Sequence, residues 1–313
     1  MEKKVAVLIP CYNEELTIRK VIRDFKEQLP QAEIYVYDNN STDKTAEIAK
    51  SEHVIVRHEP RQGKGNVVRQ MFLDIDADVY IMVDGDDTYP AAEVHQMIAA
   101  IDEGYDLVIG DRLSNGTYFS ENTRAFHNFG NRLVRSSIQM LYNTKIEDIM
   151  TGYRVFSKPF VKSFPVLSKG FQIETELTIH AVDHNFRIKE IPISYKDRPE
   201  GSESKLNTYS DGMKVCLMIA KMFKDYRPLP FFTVVASLFI LLGLIVGIPV
   251  VNEFIATGLI AKMPSAILAT GLEIFGLLSF STGLILDTVI NAHKKQFELH
   301  LLQIYEGLNR DGK

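Results

Sequence analysis

The sequence predicts an α/β fold, a mostly parallel sheet with helices on both faces, followed by two helices that cross a membrane. Three observations carry this. Up to about Gly110, short apolar stretches alternate with helical ones, the pattern that builds a parallel sheet. Polar clusters sit at the ends of several of those stretches: Cys11–Glu15, Asp38–Asp43, Asp84–Asp87 and Asp111–Arg112. In open sheets of this kind, ligands bind beyond the carboxyl ends of the strands. Near the end of the chain, two long apolar runs are bracketed by basic residues.

Taken in order, KVAVLI is the first strand, and the helix after it runs from about Glu14 to Gln28 with Leu16, Ile18, Val21, Ile22 and Phe25 as its buried stripe. EIYVYD is the second strand, and its helix is expected to begin at Ser41–Thr42, where a hydroxyl caps the free amides. HVIVRH, a helix after Gly65, VYIMVD, a helix from Ala91 and DLVIG complete the series. Beyond it, HNFGNRLVRSSIQMLY and QIETELTIHAVDHN read as helices and RIKEIPISY as a strand. Tyr209–Tyr226 sets Val215, Leu217, Met218, Ile219, Met222 and Phe223 beside lysines, which fits an amphipathic helix on a membrane surface and an ordinary core helix equally well.

Phe231–Val251 is uncharged and long enough to cross a hydrocarbon core of about 30 Å, and a second run from about Ser265 to Leu286 contains Glu273. Lys221, Lys224 and Arg227 precede the first run; His293, Lys294 and Lys295 follow the second. The positive-inside rule then places the head and both termini in the cytoplasm and the short connecting loop outside. Gly271, Gly276, Ser279 and Gly283 would allow close helix packing, and Glu273 is expected to be protonated or hydrogen-bonded between helices of an oligomer, with a functional role as the alternative. The expected domains are a catalytic head at 1–208, a juxtamembrane helix at 209–228, two spans within 229–290 and a tail helix at 291–313 suited to a homo-oligomer.

The net charge of −5 gives no support to a nucleic-acid partner. Cys11 and Cys216 form no disulfide framework, which points to a reducing compartment, and the first apolar stretch is too short for a signal peptide.

The segment MVDGDDTYP poses the sharpest question, because Asp84, Asp86 and Asp87 repel one another unless something positive lies between them. A calcium loop fails: counted from Asp84, it would need Gly at Tyr89 and Glu at His95. A capped turn is the plain alternative. The functional reading is a divalent cation that neutralises the cluster, held by one or two of these carboxylates and completed by the phosphates of a nucleoside diphosphate. Asp38, after the second strand, is placed to meet a ribose hydroxyl. No G-x-G-x-x-G or P-loop is present, so a dinucleotide cofactor is not expected; Lys64 in RQGKGN could meet phosphate or base, or simply water.

IPCYNEE, DNNSTDKT, GKGN, MVDGDD and EDIMTGYRVFSK, in this order, resemble family 2 glycosyltransferases of the nucleotide-diphospho-sugar (GT-A, Rossmann-like) fold. EIPISYKDRPEGSESKL and the two spans look like the polyprenyl-phosphate branch, which includes dolichyl-phosphate mannose synthases and undecaprenyl-phosphate glucosyltransferases. The resemblance implies a nucleotide pocket at Pro10, Tyr12, Glu14, Asp38 and Lys64, with Asp84 also at the nucleotide sugar and Asp84 and Asp86 holding Mg²⁺ or Mn²⁺. It implies that Arg112 and Arg124 meet donor sugar or acceptor phosphate, that Asp148 takes the catalytic-base position, and that Arg198, Ser202 and Lys205 close over the phosphates, Arg198 and Lys205 taking part in catalysis. The implied reaction is inverting transfer of one hexose or N-acetylhexosamine, from UDP-glucose or UDP-N-acetylglucosamine in preference to GDP-mannose, to a membrane polyprenyl phosphate. A non-catalytic scaffold that binds sugar nucleotides is the remote alternative. Processive synthases of the family need Q-x-x-R-W, and a chain without tryptophan cannot supply it.

Overall fold

The computed structural model describes residues 3–114, 135–170, 172–196 and 220–311. They fall in two compact units, Met1–Thr208 with Leu299–Lys313, and Tyr209–Glu298.

In the first unit, β1 (Val5–Cys11), α1 (Ile18–Gln28), β2 (Glu33–Asp38), α2 (Thr45–Ser51), β3 (Ile55–His58), α3 (Lys64–Asp74), β4 (Val79–Met82), α4 (Val94–Asp102) and β5 (Leu107–Asp111) alternate as the apolar pattern predicts. They are followed by β6 (Arg154–Ser157), α5 (Lys158–Ser163), α6 (Ile173–Asp183) and β7 (Ile188–Pro192). The strands form one sheet in the order β3-β2-β1-β4-β6-β5-β7. All neighbours are parallel except β6, which runs antiparallel to both β4 and β5. The sequence reading had no strand there. RVFS is only four residues long and all four are buried, so it carries no alternation to read.

Register aligns the strand ends into one edge. Cys11 lies opposite Asp38, Asp38 opposite His58, Met82 opposite Arg154, and Asp111 opposite Pro192. Because β6 is reversed, its entry rather than its exit meets that edge, and residues 148–153 arrive beside the ends of β4 and β5.

Two local expectations change. Leu16 is 62% exposed, while Ile18, Val21, Ile22 and Phe25 are buried. Residues before Ile18 form a turn, with the Thr17 and Ile18 amides donating to Glu14 O, so the helix begins one turn late and Leu16 is left off its stripe. Ser41 and Thr42 do not cap α2. The Ser41 hydroxyl accepts from the Asn13 amide at 2.9 Å, and Asp43 takes the Thr45 amide at 2.9 Å instead.

The start of α3 is fixed by backbone proximity. Gly63 has φ +124°, and a Cβ on Gly65 would lie 2.1 Å from the Ser168 carbonyl oxygen. A backbone oxygen cannot swing aside as a side chain can.

In the second unit, α7 (Pro228–Thr257) and the start of α8 (Met263–Asp311) flank a turn in which Gly258 takes the left-handed conformation at φ +71°. Both helices are long and apolar enough to cross a membrane. The tail helix expected at 291–313 is continuous with the second span up to Asp311. Of the expected amphipathic helix, residues 220–226 are helical and the rest lies outside the described residues. Gly276 faces Ile240 and the Ala236 carbonyl, and Gly283 faces Phe232, so both serve the helix contact; Gly271 has open space where a Cβ would go.

Gly65→Ala is expected to cost roughly 2 kcal/mol through overpacking. A melting temperature of the full chain in detergent equal to that of the wild type would contradict the close approach described above.

Candidate active site

The aligned strand ends gather most of the described residues singled out from the sequence. Pro10 stands one residue from the end of β1, opposite Tyr37, and Tyr12, Asn13 and Glu14 follow the strand. This turn is tied to the one after β2: the Glu14 amide donates to Thr45 Oγ1 at 2.8 Å, and Asn13 Oδ1 accepts the Thr42 amide at 2.8 Å. Asn39 links β2 to the glycine-flanked loop, donating to the carbonyls of Glu59 and Arg61 and accepting the Gly63 amide at 2.7 Å.

Asp38 is buried between these turns. Its Oδ2 accepts the Ser41 amide at 3.3 Å and lies 3.5 Å from His58 Nδ1. Its Oδ1 is buried with no hydrogen-bond partner among the described residues. A buried carboxylate oxygen without a donor is costly, and a ligand hydroxyl or N–H would satisfy it.

After β4, each of the three carboxylates has a partner of its own within the protein. Asp84 Oδ1 lies 2.5 Å from Lys64 Nζ, Asp87 pairs with Lys20 at 2.7 Å, and Asp86 accepts from the Thr88 hydroxyl at 2.6 Å. Lys64 also reaches Glu174 on α6 at 2.6 Å, and its side chain is 9% exposed. Burial alone would lower the pKa of this ammonium; Asp84 and Glu174 outweigh burial and raise it. Gly152 leaves room for the other Asp84 oxygen, which a Cβ there would meet at 2.3 Å.

Among the described residues, no three His, Cys, Asp or Glu side chains are grouped to hold a metal by themselves. Asp84 and Asp86 instead fit a hard cation that one or two carboxylates and substrate phosphates hold together. Such a cation would compete with Lys64 for Asp84.

Arg112, just past β5, is clamped by Asp148: Nε to Oδ2 is 2.7 Å, Nη2 to Oδ1 is 2.9 Å, and the Arg112 amide adds a bond to Oδ2 at 3.1 Å. Burial opposes ionisation of Asp148, but Arg112 holds its carboxyl below the ordinary range. With both oxygens engaged, Asp148 orients a guanidinium and is a weak proton acceptor. Arg112 also reaches the Tyr89 hydroxyl at 3.4 Å and lies over the Tyr195 ring at 5.6 Å. Burial pushes the Tyr89 hydroxyl up to about 12, so it stays protonated, and it accepts the Gly152 amide at 3.0 Å.

The loop before β6 is shaped by Arg154, which is fully buried and donates to the carbonyls of Ile149 at 2.6 Å and Thr151 at 3.0 Å and to the Thr178 hydroxyl at 2.9 Å. Glu174, Tyr89, Gly152, Asn39 and Arg154 were not singled out from the sequence. A charge within the apolar stretch around Arg154 was a readable signal; nothing in QIETELTIHAVDHN pairs Glu174 with Lys64. Arg124, Arg198, Ser202 and Lys205 lie outside the described residues.

Residues 6–164 match the glycosyl transferase family 2 model. The chain belongs to glycosyl transferase family 2. This glycosyltransferase is 31% identical over 297 residues to glycosyltransferase AglJ of Haloferax volcanii, covering 94% of this chain and 96% of that protein. It is 29% identical over 224 residues to the dolichyl-phosphate hexose transferase of the same organism, covering 71% and 95%. Glucosyl-3-phosphoglycerate synthase from Mycobacterium tuberculosis, crystallised with Mn²⁺, UDP and phosphoglyceric acid, shares the fold at TM-score 0.55 and 18% identity, over 71% of this chain and 78% of that one.

In this glycosyltransferase, Lys64→Met removes a cation from between two acids and is expected to cost roughly 3–5 kcal/mol. Adding Glu174→Gln should return part of that loss. Strictly additive losses in a double-mutant cycle, measured by unfolding in detergent, would show that the pair is not coupled.

Proposed function

We propose that this glycosyltransferase moves a single hexose or N-acetylhexosamine from a nucleoside-diphosphate sugar to a membrane polyprenyl phosphate, with inversion at the anomeric carbon. The observation that carries the reading is the presence, in one chain, of a family 2 site and two helices long enough to span a bilayer. A relative named for dolichyl-phosphate hexose transfer, matched over 71% of this chain, supports the same acceptor class. UDP-glucose and UDP-N-acetylglucosamine are the favoured donors. The basic flanks of the spans favour a cytoplasmic catalytic unit with both termini on the same side.

Asp38, through its unpartnered Oδ1, takes a hydroxyl or N–H of the nucleoside. Asp84 and Asp86 would hold Mg²⁺ or Mn²⁺, which when bound stabilises negative charge on the departing diphosphate. Lys64 stands within reach of the same phosphates. An acceptor phosphate oxygen attacks C1 as the bond from C1 to the diphosphate oxygen breaks, and that electron pair leaves with the nucleoside diphosphate. A phosphate monoester is largely dianionic at neutral pH, so the nucleophile needs no strong base. That matches the geometry of Asp148, whose carboxylate is committed to Arg112. Arg112, held rigid, places positive charge where transfer develops negative charge. By family resemblance, Arg124, Arg198, Ser202 and Lys205 complete the phosphate cradle.

The test is transfer by the full chain in detergent to a short-chain polyprenyl phosphate, with UDP-glucose, UDP-N-acetylglucosamine and GDP-mannose offered separately. Mass spectrometry of the lipid should show one added sugar, and Asp86→Asn should lower kcat at least about a hundredfold. A lipid carrying a sugar chain, or no transfer from any of these donors, would overturn the reading.

A further inference from the structure

Glu190, on β7, has no part in the reading above, yet it holds the residue that holds Arg112. Its Oε1 accepts from the amides of Glu147 and Asp148, each at 2.9 Å, and its Oε2 accepts from the Glu147 amide at 3.0 Å. Glu190 lies opposite Ile109 in the β5–β7 ladder, so it comes from the strand next to the one that delivers Arg112. The carboxylate thus grips the backbone of the segment whose next link is the bidentate Asp148–Arg112 pair. It also lines a cavity of about 540 Å³ together with Tyr142, Lys145, Ile146, Asn185 and Phe186, so there is room beside it for the segment to shift.

We propose that Glu190 is a positioning residue for sugar transfer: by holding the Glu147 and Asp148 amides it fixes the Asp148 carboxylate and, through it, the Arg112 guanidinium. The inference rests on the proposed role of the Arg112–Asp148 pair.

The charge state of Glu190 sets the strength of this grip, because a carboxylate accepts two amide protons better than a carboxylic acid does. Burial pushes Glu190 up to about 7; the Asp148 and Glu147 amides oppose the rise, and the carboxylates of Asp111 and Asp148 add to it. The other charged groups facing it are Lys145, on the cavity wall, and Glu147, which Arg135 pairs at 2.7 Å. Since the folded value lies above the ordinary one near 4.3, the stability Glu190 contributes is complete below that value and is lost as pH rises through about 7. The grip therefore tightens over the range in which the fold gives up stability.

The experiment compares kcat and KM of the full-length wild type, Glu190→Gln and Glu190→Ala in detergent between about pH 6 and pH 8.5, with a short-chain polyprenyl phosphate and UDP-glucose, or GDP-mannose if UDP-glucose gives no turnover. Gln keeps one acceptor oxygen and cannot ionise. The wild-type to Gln ratio of kcat should start near one and rise roughly tenfold across that range, with the donor KM unchanged. The phosphate of the acceptor also titrates near 6, but it does so in all three proteins and cancels in the ratio. Ala, with no acceptor, should fall below Gln at every pH.

A pH-independent ratio, or an Ala variant that turns over like Gln, would overturn the inference; if Ala does not fold, the Gln ratio alone decides. Asp148→Asn and Arg112→Lys in the same assay separate the two readings. If these variants retain the wild-type rate, the role of the pair fails; if they lose it while the Glu190 variants do not, only the Glu190 inference fails.

Discussion

One buried ammonium ties the site to the fold. Lys64 stands at the first residue of α3 and bridges Asp84, after β4, to Glu174, on α6. Three segments distant in sequence are thereby locked by one charge that water barely reaches. Removing such a charge from water is expensive, and only excellent geometry with paired acids offsets it. The two glycines beside Lys64 make that geometry possible, since a side chain on either would strike the carbonyl of Ser168 or Lys169. Lys64 is thus a structural cation at a carboxylate that a divalent metal would also need, and a metal bound there would act on the link between α3 and α6 through Asp84.

The reversed strand β6 plays a comparable part on the other half of the edge. A parallel strand would have delivered its exit there; the antiparallel one delivers its entry, residues 148–153, beside β4 and β5. Arg154 then folds that entry around itself through carbonyls of Ile149 and Thr151, which lowers its own pKa to about 10 by burial. The result sets Gly152 against Asp84 and Asp148 against Arg112, so one short loop touches both the acid after β4 and the guanidinium after β5.

The membrane-type unit follows a simpler rule. Small residues recur where α7 and α8 meet: Gly276 against Ile240, Gly283 against Phe232 and Gly247 against Ala269. In a bilayer, where no hydrophobic drive acts between helices, such close approach would supply the contact between them. Gly243 faces the Glu273 carboxyl, whose Oε1 is buried without a hydrogen-bond partner among the described residues. The glycine makes room for an acid that the apolar run would otherwise exclude.

The sequence by itself determined the alternation of strands and helices, the polar clusters at strand ends and the two apolar spans, because each is a local pattern in hydrophobicity and charge. Asp38, Asp84, Asp86, Arg112 and Asp148 were legible for the same reason, since they stand in short motifs beside predicted strands or in EDIMTGYR. Tertiary structure alone decided what each meets. The fold brings Lys64 to Asp84 and Lys20 to Asp87, from segments up to 67 positions away, and nothing local in MVDGDDTYP names either partner. It also set Asp148, which the family resemblance puts in the catalytic-base position, against Arg112, 36 positions back, and gave Glu174 and Glu190 their partners. Pairings of this kind depend on strand order and on the direction of β6, and neither leaves a periodic trace in the chain.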